Sequence, residues 1–239
     1  MAEWLNTAFS GLDAGIFNFT HGLAKAAGGF LTPLFNVIAF LGDKGWIFLA
    51  TALILMLFVK TRKVGVCMLL AVACGAVITN IVLKNVVNRP RPFIANEEYK
   101  AFWEYVGSPF EDESSFPSGH TTAAMAAMTA LFLTCNKKWS WIGFIGALVM
   151  GFDRVYLVVH YGSDVLAGFI AGAIGAVAAF YLTKWIFSLL DKYKEKKFCT
   201  NALSFDIVEF FKKEKPAADS NCDGNKQVDE QEENKKAQD

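Results

Sequence analysis

Charge is scarce in this sequence. Asp, Glu, Lys and Arg together make up 19% of the 239 residues, against about 25% in ordinary soluble domains. Acids and bases balance at 23 each, so the net charge is zero, and no overall basic character suits a nucleic-acid partner. The five cysteines form no CxxC pair and no zinc spacing, which leaves neither a disulfide framework nor a thiolate metal site to organise the fold. Cys67, Cys74 and Cys135 lie in apolar stretches and act as small apolar residues. There is no internal repeat, and no basic, apolar and small-residue succession at the start that predicts a cleaved signal peptide.

What the chain has is apolar length. It is 54% hydrophobic, with a mean hydropathy of +0.32. A bilayer core about 30 Å thick takes roughly 20 apolar residues of helix. Trp46–Val59, Val64–Val87, Thr121–Thr134, Trp139–Val159 and Val165–Leu182 read as spans. A sixth stretch, Leu23–Leu41, contains Lys25, Pro33 and Asn36 and either spans or lies in the interface. The expected fold is all-α: a multi-pass transmembrane bundle of about six helices. Basic clusters at Lys60–Lys63, at Lys137 and Lys138, and from Lys184 to Lys197 alternate onto one face, assigned to the cytoplasm by the positive-inside rule.

The opposite face receives residues 88–117 and the turn around His160. The long segment mixes acids with Phe93, Tyr99, Phe102, Trp103 and Tyr105. It either rests aromatic rings at headgroup depth or shapes an entrance to a site. Leu5, Phe9, Leu12, Ile16 and Phe19 recur at helical spacing, so residues 1–22 are expected to form an amphipathic interfacial helix, with His21 at the interface. The expected division is completed by a membrane core over 23–190, a cytoplasmic juxtamembrane stretch over 191–213, and a polar tail over 214–239 that composition predicts to be disordered.

Ionisable groups at membrane depth are costly and usually functional. Lys84, Arg89, Arg91 and Arg154 stand at outer ends of spans, against the positive-inside trend, and therefore call for an anion. Phosphate fits, since guanidinium and ammonium groups bind its oxygens through charge-assisted hydrogen bonds. Pro117-Ser118-Gly119-His120 opens an apolar helix at the same face. A helix N-terminus offers free N–H groups to an anion, Gly119 permits close approach, and Ser118 can cap the helix. His160 is followed after three residues by Asp164, which can hold one ring nitrogen protonated and leave the other free to attack. Taken singly, each motif also fits a structural role: an ordinary cap with a surface histidine, or a structural His–Asp pair. The topology brings them to one face.

Lys84 with six residues before Arg91-Pro92, then Pro117-Ser118-Gly119-His120, then Arg154 with five residues before His160 and three before Asp164, together resemble the three signatures of the type-2 phosphatidic acid phosphatase family. The resemblance covers about Phe35 to Trp185. It implies a helical bundle with an extracytoplasmic site and a reaction needing no metal or other cofactor. It implies His160 as nucleophile, Asp164 as its orienting partner and His120 as the acid that protonates the leaving oxygen. It further implies that Lys84, Arg91, Arg154, Ser118 and Gly119 hold the phosphoryl oxygens. The expected partners are a bilayer and a phosphorylated lipid: a polyprenyl diphosphate, phosphatidylglycerol phosphate or phosphatidate. Oligomeric state stays open. Two positions depart from the family pattern. Asp153 stands where serine is usual; it either turns aside to pair with Arg154 or Lys84, or weakens phosphate affinity or alters substrate preference. Gly162 stands where proline is frequent, and Arg89 is left over for lipid headgroups. An anion transporter and an inactive lipid-binding relative are the competing readings.

Overall fold

The computed structural model describes residues 1–209; the tail expected at 214–239 lies outside them. Among the described residues every regular element is helical. The chain runs through α1 (Ala2–Ala8), α2 (Ser10–Ala26), α3 (Thr32–Gly42), α4 (Trp46–Met56) and α5 (Arg62–Ala76). A π-helical stretch, Val77–Leu83, carries α5 into the short turns α6 (Lys84–Val87) and α7 (Pro92–Ala95). Then come α8 (Glu97–Tyr105), α9 (Gly119–Thr134), α10 (Lys137–Ser140), α11 (Gly143–Tyr156), α12 (Gly162–Lys192) and α13 (Lys197–Ser204).

The centre of the bundle is the seam between α5, α9 and α12, and it is built from small residues. Ala71, Ala123, Ala126, Ala127, Ala130, Ala176 and Ala179 are buried there. A methyl group added at Gly172 would stand 2.5 Å from the Thr122 carbonyl oxygen, and one at Gly175 would stand 2.8 Å from the Gly75 nitrogen. Lipid tails are as apolar as leucine, so helices in a bilayer associate through close backbone approach of this kind. The large apolar side chains point the other way: Leu53, Ile54, Ile81, Leu148, Ile170, Ile174 and Trp185 are exposed on the outside of the bundle, as lipid contact requires.

Among the described residues, three stretches are long and apolar enough to cross a membrane: Thr32–Met56, Arg62–Ala95 and Gly162–Lys192. At 31 residues, α12 extends about 46 Å, well beyond the hydrocarbon core. Of the other expected spans, Thr121–Thr134 falls within α9, while Trp139–Val159 contains the shorter helix α11. α9 has 16 residues and α11 has 14, roughly 24 and 21 Å. The sixth expected stretch, Leu23–Leu41, is not one helix. Gly28 and Gly29 take φ of +55° and +78°, a conformation that ends α2 and that only glycine adopts freely. α3 then runs for 11 residues, about 16 Å, too short to span by itself. It turns at Lys44 and Gly45, both with positive φ, into α4.

In the N-terminal segment the inward face is Leu5, Asp13, Phe17, Thr20 and Ala24, while Leu12 and Phe19 are exposed. Along that inward face α2 packs on protein. A methyl group at Gly162 would meet Ile16 Cδ1 at 2.4 Å, so the glycine serves close approach of α2 to the start of α12. His21 stacks on Phe102 with ring centroids 3.8 Å apart, which fastens α2 to α8. At the opposite end of the bundle, Arg62 donates to the Leu203 carbonyl oxygen at 2.9 Å and the Val59 N–H to Asp206 at 3.1 Å, tying α13 beneath α5.

Candidate active site

Several chain ends converge on a cavity of about 500 Å³, walled in part by Lys84, Arg91, Gly119, His120, Arg154 and His160. Local sequence explains how each arrives. Asn88 takes φ +45° and stops the helix that carries Lys84; asparagine is one of the few non-glycine residues that does so readily. Pro90 and Pro92 follow, and the residue before a proline is driven out of the helical region. Arg91 accordingly has ψ 153° and reaches inward. Ser118 caps α9, accepting from the Thr121 N–H at 3.4 Å, and presents Gly119 and His120 at the cavity. A methyl group on Gly119 would meet nothing within 4 Å, so the backbone there faces open space. Val158 has φ +58°, a strained position for a β-branched residue costing on the order of 1–3 kcal/mol. It ends α11 and swings His160 into the site.

The bonds of His160 fix its tautomer. Nδ1 lies 2.7 Å from the Ser115 carbonyl oxygen, which can only accept, so Nδ1 carries the hydrogen. Nε2 lies 3.2 Å from an Arg91 guanidinium nitrogen and offers its lone pair. The imidazole is 2% exposed. Burial first, and then Arg91, pushes its pKa down to about 4, with Asp164 opposing. The ring is therefore neutral at physiological pH, with a lone pair on the cavity side. Sequence reasoning gave the orienting role to Asp164. Its carboxylate is near Nδ1 at 3.7 Å, but the direct acceptor is the Ser115 carbonyl, and Ser115 Oγ in turn donates to Asp164.

Across the cavity, Arg154 places one nitrogen 3.4 Å from His120 Nε2. Its Nε donates to Asp153 Oδ2 at 2.7 Å, and a terminal nitrogen donates to the same oxygen. Of the alternatives open for Asp153, the structure has pairing with Arg154. Arg91 also donates from Nε to the Glu113 carbonyl oxygen and from NH1 to the Val159 carbonyl oxygen, both at 2.8 Å. Two carboxylates from the loop before α9 complete the site. Glu111 bridges Arg91 and Arg154 at 3.2 and 3.3 Å, and Glu113 pairs with Lys84. Lys84 holds the Glu113 carboxyl below its ordinary pKa.

The cations that the sequence set aside for phosphate thus hold carboxylates in this conformation. Lys84, Arg91, Arg154, His120, His160 and Gly119 come together as expected. Ser118 does not join the wall: it is fully buried, its oxygen accepting from Thr121 N–H and Oγ1, because the N-cap position turns it into the helix. Arg89 is also corrected. It is 1% exposed and bonded to Asp164, Ser163, Asp13 and Asn6, far from any headgroup role. Ser115, Glu111, Glu113 and Asp13 were missed. For Asp13 a signal existed: it is the one acid on α2.

The family model described as the PAP2 superfamily matches residues 63–188. The chain is 31% identical over 147 residues to an undecaprenyl-diphosphatase of Sulfolobus acidocaldarius, covering 60% of this chain and 68% of that one. It is 29% identical to phosphatidylglycerophosphatase B of Bacillus subtilis, over 81% of this chain and 80% of the other. The crystal structure of a transmembrane PAP2-type phosphatidylglycerolphosphate phosphatase from Bacillus subtilis superimposes with a TM-score of 0.55 at 25% identity, covering 80% of this chain and 89% of that one. The chain belongs to the PAP2 superfamily.

Proposed function

We propose that this chain is a membrane phosphatase that hydrolyses phosphate monoesters or diphosphates of lipids, with His160 as nucleophile. The observation that carries the reading is the His160 ring, whose Nδ1–H donates to the Ser115 carbonyl oxygen and whose unprotonated Nε2 accepts from Arg91 at the cavity. In the first step the Nε2 lone pair attacks phosphorus. The bond from phosphorus to the lipid oxygen breaks with its electron pair on that oxygen, which takes a proton from His120. The negative phosphoryl group between the two rings favours the protonated form of His120 that this step needs. In the second step water attacks the phosphohistidine and gives its proton to His120. The P–N electrons return to Nε2 and inorganic phosphate leaves. Arg91, Arg154 and Lys84, with the Gly119 N–H at the start of α9, stabilise the equatorial oxygens in both steps. Asp164 offsets the positive charge of the phosphorylated ring.

About six membrane crossings, with the cavity at the extracytoplasmic face, is the arrangement that the alternation of basic clusters supports. The relatives bear different substrate names, so the test is a panel. Purified protein in EDTA is expected to release phosphate from at least one of a polyprenyl diphosphate, phosphatidylglycerol phosphate and phosphatidate. The ranking of kcat/KM then names the substrate. Folded protein inert toward all of them would overturn the proposal.

A phosphoryl group that takes both guanidinium groups has to displace Glu111. Glu111→Gln removes the competing charge with little change in shape. It is expected to lower KM several-fold while leaving kcat within about twofold, since only the ground state before binding changes. An unchanged KM would show that the carboxylate does not occupy the substrate's place.

A further inference from the structure

The site includes a buried ionic cluster on its far side, of which the reaction scheme above uses Asp164 alone. Arg89 spends its whole guanidinium there. NH1 donates to Asp164 Oδ1 at 2.6 Å and Ser163 Oγ at 2.8 Å. NH2 donates to Asp13 Oδ2 at 3.0 Å, and Nε to Asn6 Oδ1 at 2.8 Å. Asp13 also accepts from Ser163, through Oδ1 from the N–H and Oδ2 from the hydroxyl, both at 2.8 Å. The guanidinium lies 3.6 Å over the Tyr161 ring. Asp13, Arg89, Ser163 and Asp164 are all less than 5% exposed. A buried ion pair held by this many hydrogen bonds has little freedom, and removing one member leaves its partners unpaired at high cost.

We propose that Asp13, acting through Arg89 and Ser163, is a positioning residue for the catalytic turn that carries His160 and Asp164. Asp13 lies on α2, outside the region that the family model matches, so the N-terminal helix is a component of the site. Two consequences follow from the contacts. Asp13 fixes the Ser163 backbone and hydroxyl, and with them the start of α12 and the aim of the His160 ring. It also sets the charge of the cluster. One guanidinium against two carboxylates leaves a net negative charge beside the imidazole, where attack on phosphorus creates a positive one. Without Asp13 that charge is zero.

The proposal rests on His160 and Asp164 being the catalytic pair, so its test starts from wild-type protein with measured phosphate release. Asp13→Asn is expected to lower kcat by about 10- to 100-fold, the scale on which outer partners of reactive groups act, with KM changed less than twofold. Asp13→Glu, which keeps the charge, is expected to recover part of kcat. On an Asp164→Asn background, Asp13→Asn is expected to add little, because both act on one ring. An active wild type with unchanged kcat in Asp13→Asn, or losses that multiply on the Asp164→Asn background, would overturn the proposal while leaving the phosphatase reading intact. An inactive wild type would strike the phosphatase reading itself. Should Asp13→Asn not fold, Asn6→Ala frees one end of the Arg89 fork and is expected to lower kcat several-fold at constant KM; no change in kcat would again overturn it.

Discussion

His160→Ala is expected to reduce phosphate release by at least about 10⁴-fold, because removal of a nucleophile leaves only binding and electrostatic stabilisation. The two histidines are separable by leaving group. An aryl phosphate expels an oxygen that needs no proton, so His120→Ala should still transfer phosphate from it to His160. That variant is also slow to activate water, so an acid-labile phosphoenzyme should accumulate; His160→Ala should form none. The ground-state ring can be examined directly by NMR titration of labelled histidine. Burial and Arg91 hold His160 down to about 4, so its signal should move near pH 4 and not near the ordinary 6.5. The sign matters for function: the neutral form attacks, so nucleophile is present above that pH and is lost as pH falls through it. Phosphoenzyme in His160→Ala would place the nucleophile elsewhere.

Arg91→Lys is expected to lower kcat by about 10²- to 10³-fold, the cost of one preorganised donor to a developing charge. The arginine works as a fork. It holds the Val159 and Glu113 carbonyl oxygens, contacts His160 Nε2 and reaches Glu111. A lysine ammonium is a point charge on a flexible stem and cannot span these directions at once. Charge is retained, so ground-state attraction for phosphate should fall much less than turnover. Steady-state kinetics beside a circular dichroism melt would decide. A higher KM at unchanged kcat would mean that Arg91 only binds substrate.

The bundle and the reactive groups were legible because each carries a local signal. Apolar length gave the helices around the seam, and charge at membrane depth singled out Lys84, Arg91 and Arg154. The break at Gly28–Gly29 and the turn at Lys44–Gly45 were not read, since hydropathy averages over left-handed residues that divide a span. On α2 the periodicity marked apolar residues and passed over Asp13, which is buried against the bundle while Leu12 and Phe19 are exposed. The partners of the site were hidden by separation. Nothing local to Arg89 tells that Asp13, 76 residues earlier, accepts its hydrogen bond, or that the Ser115 carbonyl, 45 residues before His160, fixes that ring's tautomer. Main-chain acceptors leave no trace in side-chain patterns, and Ser118 misled because its cap role uses the same oxygen expected to meet phosphate.

The carboxylate of Glu111, lodged between Arg91 and Arg154, has a consequence for the end of the catalytic cycle. Inorganic phosphate competes for the same guanidinium groups, and a phosphatase that bound it as strongly as those cations allow would be slowed by its own product. A tethered anion is always at hand, at an effective concentration set by the loop and not by diffusion. In the proposed reaction it competes with free phosphate for both guanidinium groups, so Glu111→Gln should be inhibited by inorganic phosphate at lower concentrations than wild type. On that reading the acidic loop that weakens substrate capture also weakens product inhibition.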